Sequence, residues 1–363
     1  MIKKISILLF FGIMLSSCME KKYEWSADIS APREYPIEVY TGAVGGYFFS
    51  QMGGFTNAGW GNAGSVDFIE APLPDSFDMT WLSYVDNKFY TGEWKLPTEK
   101  IEELFDQGFY STLGGKEVIE PYKYINIGFA PKGMVILWVA GNGKQVEVAR
   151  FQAHETVIDL KLVTKDEKYM FEKDYAKDML TYDGTISKDL REQIKQYGYP
   201  PPEVYEQYRE KYSWKPKIIL PEGSKITSLY IKMCNGEIED SFNRPMELKK
   251  RAVPYQFEIY WSIGSGKQEQ QFVSRITFTQ DTEYWAKYLQ DGGGDNEMPV
   301  DFDKNEIRRL FKEHIDKNKP AEIVIKIDPN VELKSERVTK LYVEQSENQY
   351  LIKEKVTRTG KYN

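Results

Sequence analysis

Thiols and imidazoles are scarce: two cysteines, Cys18 and Cys234, and two histidines, His154 and His314, in 363 residues. Nucleophilic and metal chemistry therefore has little to work with. Neither histidine has a second His or Cys at metal-ligand spacing, so both read as core or rim side chains, His314 on the apolar edge of a helix, and no metal is expected. Gly59-Trp60-Gly61-Asn62-Ala63-Gly64 satisfies G-x-G-x-x-G, but that fingerprint requires a hydrophobic strand before it and a helix after it. Residues 65–70 instead read as a strand, so no cofactor is expected and the segment reads as a glycine-rich loop, a mobile rim holding an aromatic. Gly264-Ser265-Gly266-Lys267-Gln268 lacks the Ser or Thr of a P-loop and reads as a hairpin turn. Asp291-Gly292-Gly293-Gly294-Asp295-Asn296-Glu297 lacks the alternating ligands of an EF-hand and reads as a solvated loop. No G-x-S-x-G elbow occurs. A catalytic carboxylate pair converges in space rather than in sequence, and with 55 acids it stays open. Trp60, Trp81, Trp94 and Trp138 crowd the first half beside Tyr47, Phe48 and Phe49. Trp81 and Trp138 fall in strands and read as core, which leaves Trp60 as the candidate exposed ligand contact.

The N-terminus carries the strongest local signal. Lys3 and Lys4 precede an apolar stretch over residues 5–15 that is too short to span a bilayer, and Leu15-Ser16-Ser17-Cys18 follows at once. The arrangement resembles the lipobox of bacterial lipoproteins. That resemblance implies cleavage of a signal peptide at residues 1–17, lipidation of the Cys18 thiol and acylation of its new amine by palmitate-type chains. Several chains at about 0.8 kcal/mol per buried methylene anchor a protein stably. Residues 18–24 read as a lipidated tether. Cleavage removes two lysines and no acids, taking the formal charge from -7 to -9. The residue after Cys18 is Met19 rather than the Asp of inner-membrane retention, so an outer-membrane lipoprotein facing the periplasm is expected, with surface display as the alternative. Cys234 is then the only thiol left and reads as a buried spectator.

Length allows roughly two domains. No apolar run reaches a membrane span, and no basic cluster exists to neutralise phosphates, so nucleic acid is not an expected partner. Aromatics make up 14% of the chain, which suits sheets and binding faces.

One pattern occurs twice. Phe77-Asp78-Met79-Thr80-Trp81, a second strand over residues 88–94, a helix bearing Ile101, Leu104 and Phe105, and a strand over residues 124–130 closed by Pro131 form the first copy. Phe257-Glu258-Ile259-Tyr260-Trp261, a strand through Phe272 and Phe278, a helix bearing Ile307, Leu310 and Phe311, and a strand over residues 322–328 closed by Pro329 form the second. The Ile-x-x-Leu-Phe stripe puts one apolar helix edge on a sheet. Thr98 and Asp303 read as the N-caps. The expected fold is α+β: two similar, mostly antiparallel lobes at 25–164 and 214–363, each with a packed helix, joined by a helical connector at 165–213. Helices are expected there over residues 169–180 and 188–197, and from Pro200-Pro201-Pro202 through Tyr212. Residues 339–357 alternate as a hairpin that ends the second sheet.

The first lobe also resembles a lipoprotein family of Gram-negative bacteria known only as a domain of unknown function. The likeness rests on the lipobox Cys18, Trp25, Ala31-Pro32, Tyr35-Pro36, Gly59-Trp60-Gly61, Leu73-Pro74-Asp75, Trp81-Leu82-Ser83-Tyr84, Lys88-Phe89-Tyr90 and Leu96-Pro97. Pro131-Lys132-Gly133-Met134-Val135 with Trp138, Tyr199-Pro200-Pro201-Pro202-Glu203 and Trp214 extend it, so it covers residues about 20–215. It implies an envelope lipoprotein and brings no catalytic residues. The expected function is a non-enzymatic envelope factor, held to the membrane through Cys18, that binds a protein, for instance in immunity or assembly. A glycan-binding lipoprotein is the alternative, and a carboxylate-pair hydrolase stands third.

Overall fold

The computed structural model describes residues 21–62, 67–113, 116–242, 244–294, 297–328 and 338–361. Cys18 and the signal peptide lie outside the described residues. The first half runs β1 (Tyr23–Ser30), β2 (Ile37–Val44), β3 (Gly54–Thr56), β4 (Ile69–Ala71), β5 (Ser76–Ser83), β6 (Lys88–Lys95), α1 (Thr98–Gln107), β7 (Phe109–Leu113), β8 (Lys116–Glu120), β9 (Tyr124–Ala130), β10 (Met134–Gly141), β11 (Lys144–Gln152) and β12 (His154–Thr156). After it come α2 (Tyr175–Thr181), α3 (Lys188–Tyr197) and α4 (Val204–Gln207). The second half runs β13 (Tyr212–Ile219), β14 (Ser224–Met233), β15 (Ile238–Phe242), β16 (Lys249–Arg251), β17 (Pro254–Ile263), β18 (Gln270–Phe278), α5 (Thr282–Gln290), α6 (Glu306–His314), β19 (Ala321–Ile327), β20 (Val338–Gln345), β21 (Asn348–Leu351) and β22 (Lys355–Lys361). The fold is α+β and rich in strands.

Sheets do not divide between the halves as expected. Among the described residues a ten-stranded sheet, β22-β18-β17-β14-β15-β11-β10-β9-β1-β4, takes strands from both. Its two five-stranded parts meet where β11 pairs with β15 through Gln145 and Ile238. Two further sheets, β12-β6-β5-β2-β3 and β16-β13-β19-β20-β21, belong to the first and second halves respectively. The pairing scheme recurs. β1 lies parallel to β9 and antiparallel to β4, while β13 lies parallel to β19 and antiparallel to β16. β3-β2-β5-β6-β12 likewise matches β15-β14-β17-β18-β22 in order of appearance.

Burial explains the strand patterns. β10, Met-Val-Ile-Leu-Trp-Val-Ala-Gly, is buried on both faces, which is why it reads as a continuous apolar run. Met134, Ile136 and Trp138 enter a core shared with the second half, and Val135, Leu137 and Val139 enter the first-half core. β5 alternates instead, with Phe77, Met79 and Trp81 buried around the exposed Asp78.

The Ile-x-x-Leu-Phe stripes fall on α1 and α6, where Ile101 and Phe105, and Ile307, Leu310 and Phe311, are buried. Both expected caps move. Thr98 is already helical and donates its hydroxyl to the Pro74 carbonyl at 3.3 Å. Asn305, not Asp303, caps α6, its side chain accepting from the Arg308 amide at 3.4 Å. Asp303 instead takes a left-handed φ of 62° and pairs with Arg308. The third connector helix is one turn long, because Tyr212 leaves it to open β13, where it is buried together with Trp214. β1 starts at Tyr23, inside the stretch read as tether.

Candidate functional site

Two glycine-bearing turns meet where the halves join. Gly61 has a φ of 71°, and a Cβ there would sit 2.9 Å from the Gly236 Cα, so both backbones come together only without side chains. Gln145 bridges them by donating to the Gly61 carbonyl at 2.8 Å and the Gly236 carbonyl at 2.6 Å. Asn126 donates to the Gly61 carbonyl at 3.0 Å, and the Trp138 indole donates to the Asn235 carbonyl at 3.0 Å. These buried bonds satisfy turn carbonyls that would otherwise be costly to desolvate.

Beside this bridge lies a cavity of about 360 Å³, lined among others by Tyr124, Lys144, Tyr230, Lys232, Glu237 and Glu297. Burial holds the Lys144 ammonium below the usual lysine range, against the opposing pull of Glu239 and Glu237. Both carboxylates of the wall are already paired, Glu237 with Lys211 at 2.8 Å and Glu297 with Arg33.

Trp60 lines the same cavity, but the expectation that it is exposed is corrected. Its side chain is 6% exposed, packed edge-on against Trp138 and Tyr205 at centroid distances of 5.0 and 5.3 Å. The glycines around it bring the loop down onto the core rather than freeing it. Residues 63–66 of the expected mobile rim lie outside the described residues, and within the segment read as a strand only residues from Ile69 pair. Trp81 and Trp138 are core, as expected. Cys234 is buried and free, and burial pushes its thiol up, consistent with a spectator. His154 and His314 are both exposed, the latter stacked on Tyr350 at 4.9 Å, so neither belongs to the core. Among the described residues no group of three or more His, Cys, Asp or Glu could hold a metal.

Behind the cavity sits a buried polar group that sequence reading missed. Glu34 accepts the Tyr205 hydroxyl at 2.6 Å. Burial raises its pKa, opposed by that hydrogen bond and by Arg33. A carboxyl raised in the native state holds its proton more tightly there than in the unfolded chain. Its contribution to stability is complete below the ordinary Glu value and is lost as pH rises through the raised one. Glu34→Gln is therefore expected to raise Tm at about pH 8, with little effect near about pH 4. Thermal melts at both pH values check this, and equal shifts would remove Glu34 as the source.

A second candidate surface is the β12 edge. β12 pairs on one side with β6, and its other side ends the sheet. The chain then runs Val157-Ile158-Asp159-Leu160-Lys161-Leu162, with Val157 95%, Leu160 62% and Leu162 77% exposed. Val157, Ile158 and Leu160 line a groove of about 650 Å³ with Phe89 and Phe171. The signal is present in the sequence, as apolar side chains clustered between the expected first lobe's strands and the connector helices.

Glu38 in β2 holds the neighbouring connector segment down. Its carboxylate accepts the hydroxyls of Tyr84, Tyr169 and Tyr175 at 2.7, 2.8 and 2.7 Å. Phe171 in turn stacks on Phe89 at 5.0 Å, forming one wall of the groove.

The sequence model of a family described as protein of unknown function, DUF2931, matches residues 15–201, just over half of the chain. No curated protein and no solved structure matches it.

Proposed function

The chain belongs to the DUF2931 family, and on that premise we propose that it is a non-enzymatic envelope lipoprotein, anchored through Cys18, that binds a protein partner at the β12 edge. The observation that carries this reading is the exposed apolar run beside an open strand. Scattered apolar side chains are normal on a surface, whereas Val157, Ile158 and Leu160 line one groove, with Leu162 exposed two residues further on. An open edge offers backbone donors and acceptors to an extended segment, and the groove offers seats for its side chains. The lipobox sequence supports the anchor and an outer-membrane, periplasm-facing location. The repeated pairing scheme supports duplication as the origin of two similar lobes, here fused through one sheet.

The test uses the mature ectodomain as bait in envelope extracts. A partner retained by the wild type should be lost, by about tenfold or more, from Val157→Asp/Leu160→Asp, two exposed positions whose substitution leaves the core untouched. Recovery of no partner, or equal recovery by both, would overturn the reading. A glycan at the junction cavity is the second reading, favoured by Tyr124 and Tyr230 on its wall beside the Lys144 and Lys232 side chains. Loss of oligosaccharide retention in Tyr230→Ala would support it.

A further inference from the structure

The end of the molecule nearest the lipid anchor is defined by a short chain. Lys21 is three residues after Cys18, so its backbone lies at most about 11 Å from the acylated cysteine however those residues run. Lys21 Nζ meets Asp106 in the last turn of α1 at 2.5 Å. The Tyr23 hydroxyl donates to the same carboxylate at 2.8 Å and to Glu102 at 3.0 Å. The tether is thus fastened to the C-terminal turn of α1. Gly108, at a φ of 61°, turns the chain directly from that helix into β7. Tyr110 is four residues beyond Asp106, within about 14 Å of chain.

The hairpin of β7 and β8 carries an outward apolar pair at this end. Tyr110 and Ile119 face each other across the ladder and are 56% and 64% exposed. Phe109 and Ser111, on the opposite face, are buried. Arg244 lies over the Tyr110 ring at 4.1 Å and pairs with Glu117, and Lys116 is exposed beside them. An aromatic ring, an aliphatic side chain and flanking cations with long stems are the composition that settles at a membrane–water interface.

We propose that the β7–β8 hairpin rests on the bilayer that holds the anchor, with Tyr110 and Ile119 seated at headgroup depth. The inference rests on acylation of Cys18. Glu102, Glu103, Asp106 and Glu117 surround the site, so the contact is with zwitterionic lipid and is apolar rather than electrostatic. It orients the ectodomain instead of leaving it to tumble on its tether.

The acylated protein, carrying a polarity-sensitive fluorophore at Ile119→Cys, is reconstituted into phosphatidylcholine vesicles containing brominated lipid. A label at Lys312→Cys on α6 is the reference. The Ile119 label should be quenched by brominated lipid at least about threefold more than the Lys312 label, and protected from aqueous iodide. Equal quenching at the two positions in vesicle-bound protein would overturn the hairpin's seat and leave the anchor standing. Protection from iodide without lipid quenching would assign the face to a protein contact and also overturn it. Mass spectrometry of the N-terminal peptide is the separate check on the anchor. An unmodified Cys18 would overturn both.

Discussion

Arg308→Ala is expected to lower the unfolding free energy by about 3–5 kcal/mol, the usual cost of leaving one partner of a buried ion pair behind. Arg308 and Asp301 are both almost fully buried, with Nε to Oδ2 at 2.6 Å. The guanidinium also donates to Gln207 at 2.7 Å and pairs with Asp303, so it ties α6 to the connector helix α4. Asp301 accepts the backbone amides of Lys304 and Asn305 at 3.1 and 3.2 Å, which sets the turn that starts α6. Without the arginine its charge would remain in a dry site near Glu34, whose own pKa Asp301 already helps to raise. Arg308→Met/Asp301→Asn should cost clearly less than Arg308→Ala, because no charge is then stranded. Urea unfolding followed by tryptophan fluorescence measures both. A loss below about 1 kcal/mol in the single variant would mean that water reaches Asp301.

Glu38→Ala is the second large effect, expected at about 3 kcal/mol. Three phenols lose one shared acceptor, and Tyr84, buried within the first half, has no water to turn to. The loss should be local as well as global, with faster proteolysis over residues 165–181. Glu38→Gln keeps one acceptor oxygen and should fall between the two. Burial foremost, and the Glu38 carboxylate next, raise the pKa of all three tyrosines, that of Tyr169 to about 12. Above the ordinary tyrosine value of about 10 the unfolded chain releases protons that the native state keeps, so stability falls as pH rises through that window. The alkaline fall should be shallower in Glu38→Ala than in the wild type. A thermal profile of equal slope in both would sink the cradle as its cause.

The elements with a clean period were legible in the sequence. β5, β9, β17, α1 and α6 were visible because alternating or three-and-four spacing reports one buried face. β10 was legible only through Trp138, placed in a strand and in the core, which did not reveal that the strand's two faces serve two cores. What stayed hidden was set by tertiary partners. One exception is short-range: Asn305 caps α6 because Asp301 accepts the Lys304 and Asn305 amides and so sets the preceding turn, which the capping-box spacing at Asp303 masks. Trp60 looked exposed because its neighbours are glycines, yet one of them, Gly61, is what lets the Gly236 backbone approach. The joining of two sheets through Gln145 and Ile238 depends on residues 93 positions apart. Nothing local marks Glu38 or Glu34, because most of their tyrosine partners lie far along the chain.

That joining of β11 to β15 also has a consequence in time. A chain made from its N-terminus at about 5–20 residues per second completes β11 roughly 5–20 seconds before the residue that will pair with it exists. Through that interval the newborn first half presents an unpaired strand next to an apolar ladder, the kind of surface that seeds aggregation. The vulnerable species is therefore the nascent half rather than the finished protein. Its survival depends on how soon the remainder arrives, a kinetic hazard built in wherever one half of a sheet must wait for the other to cover its edge.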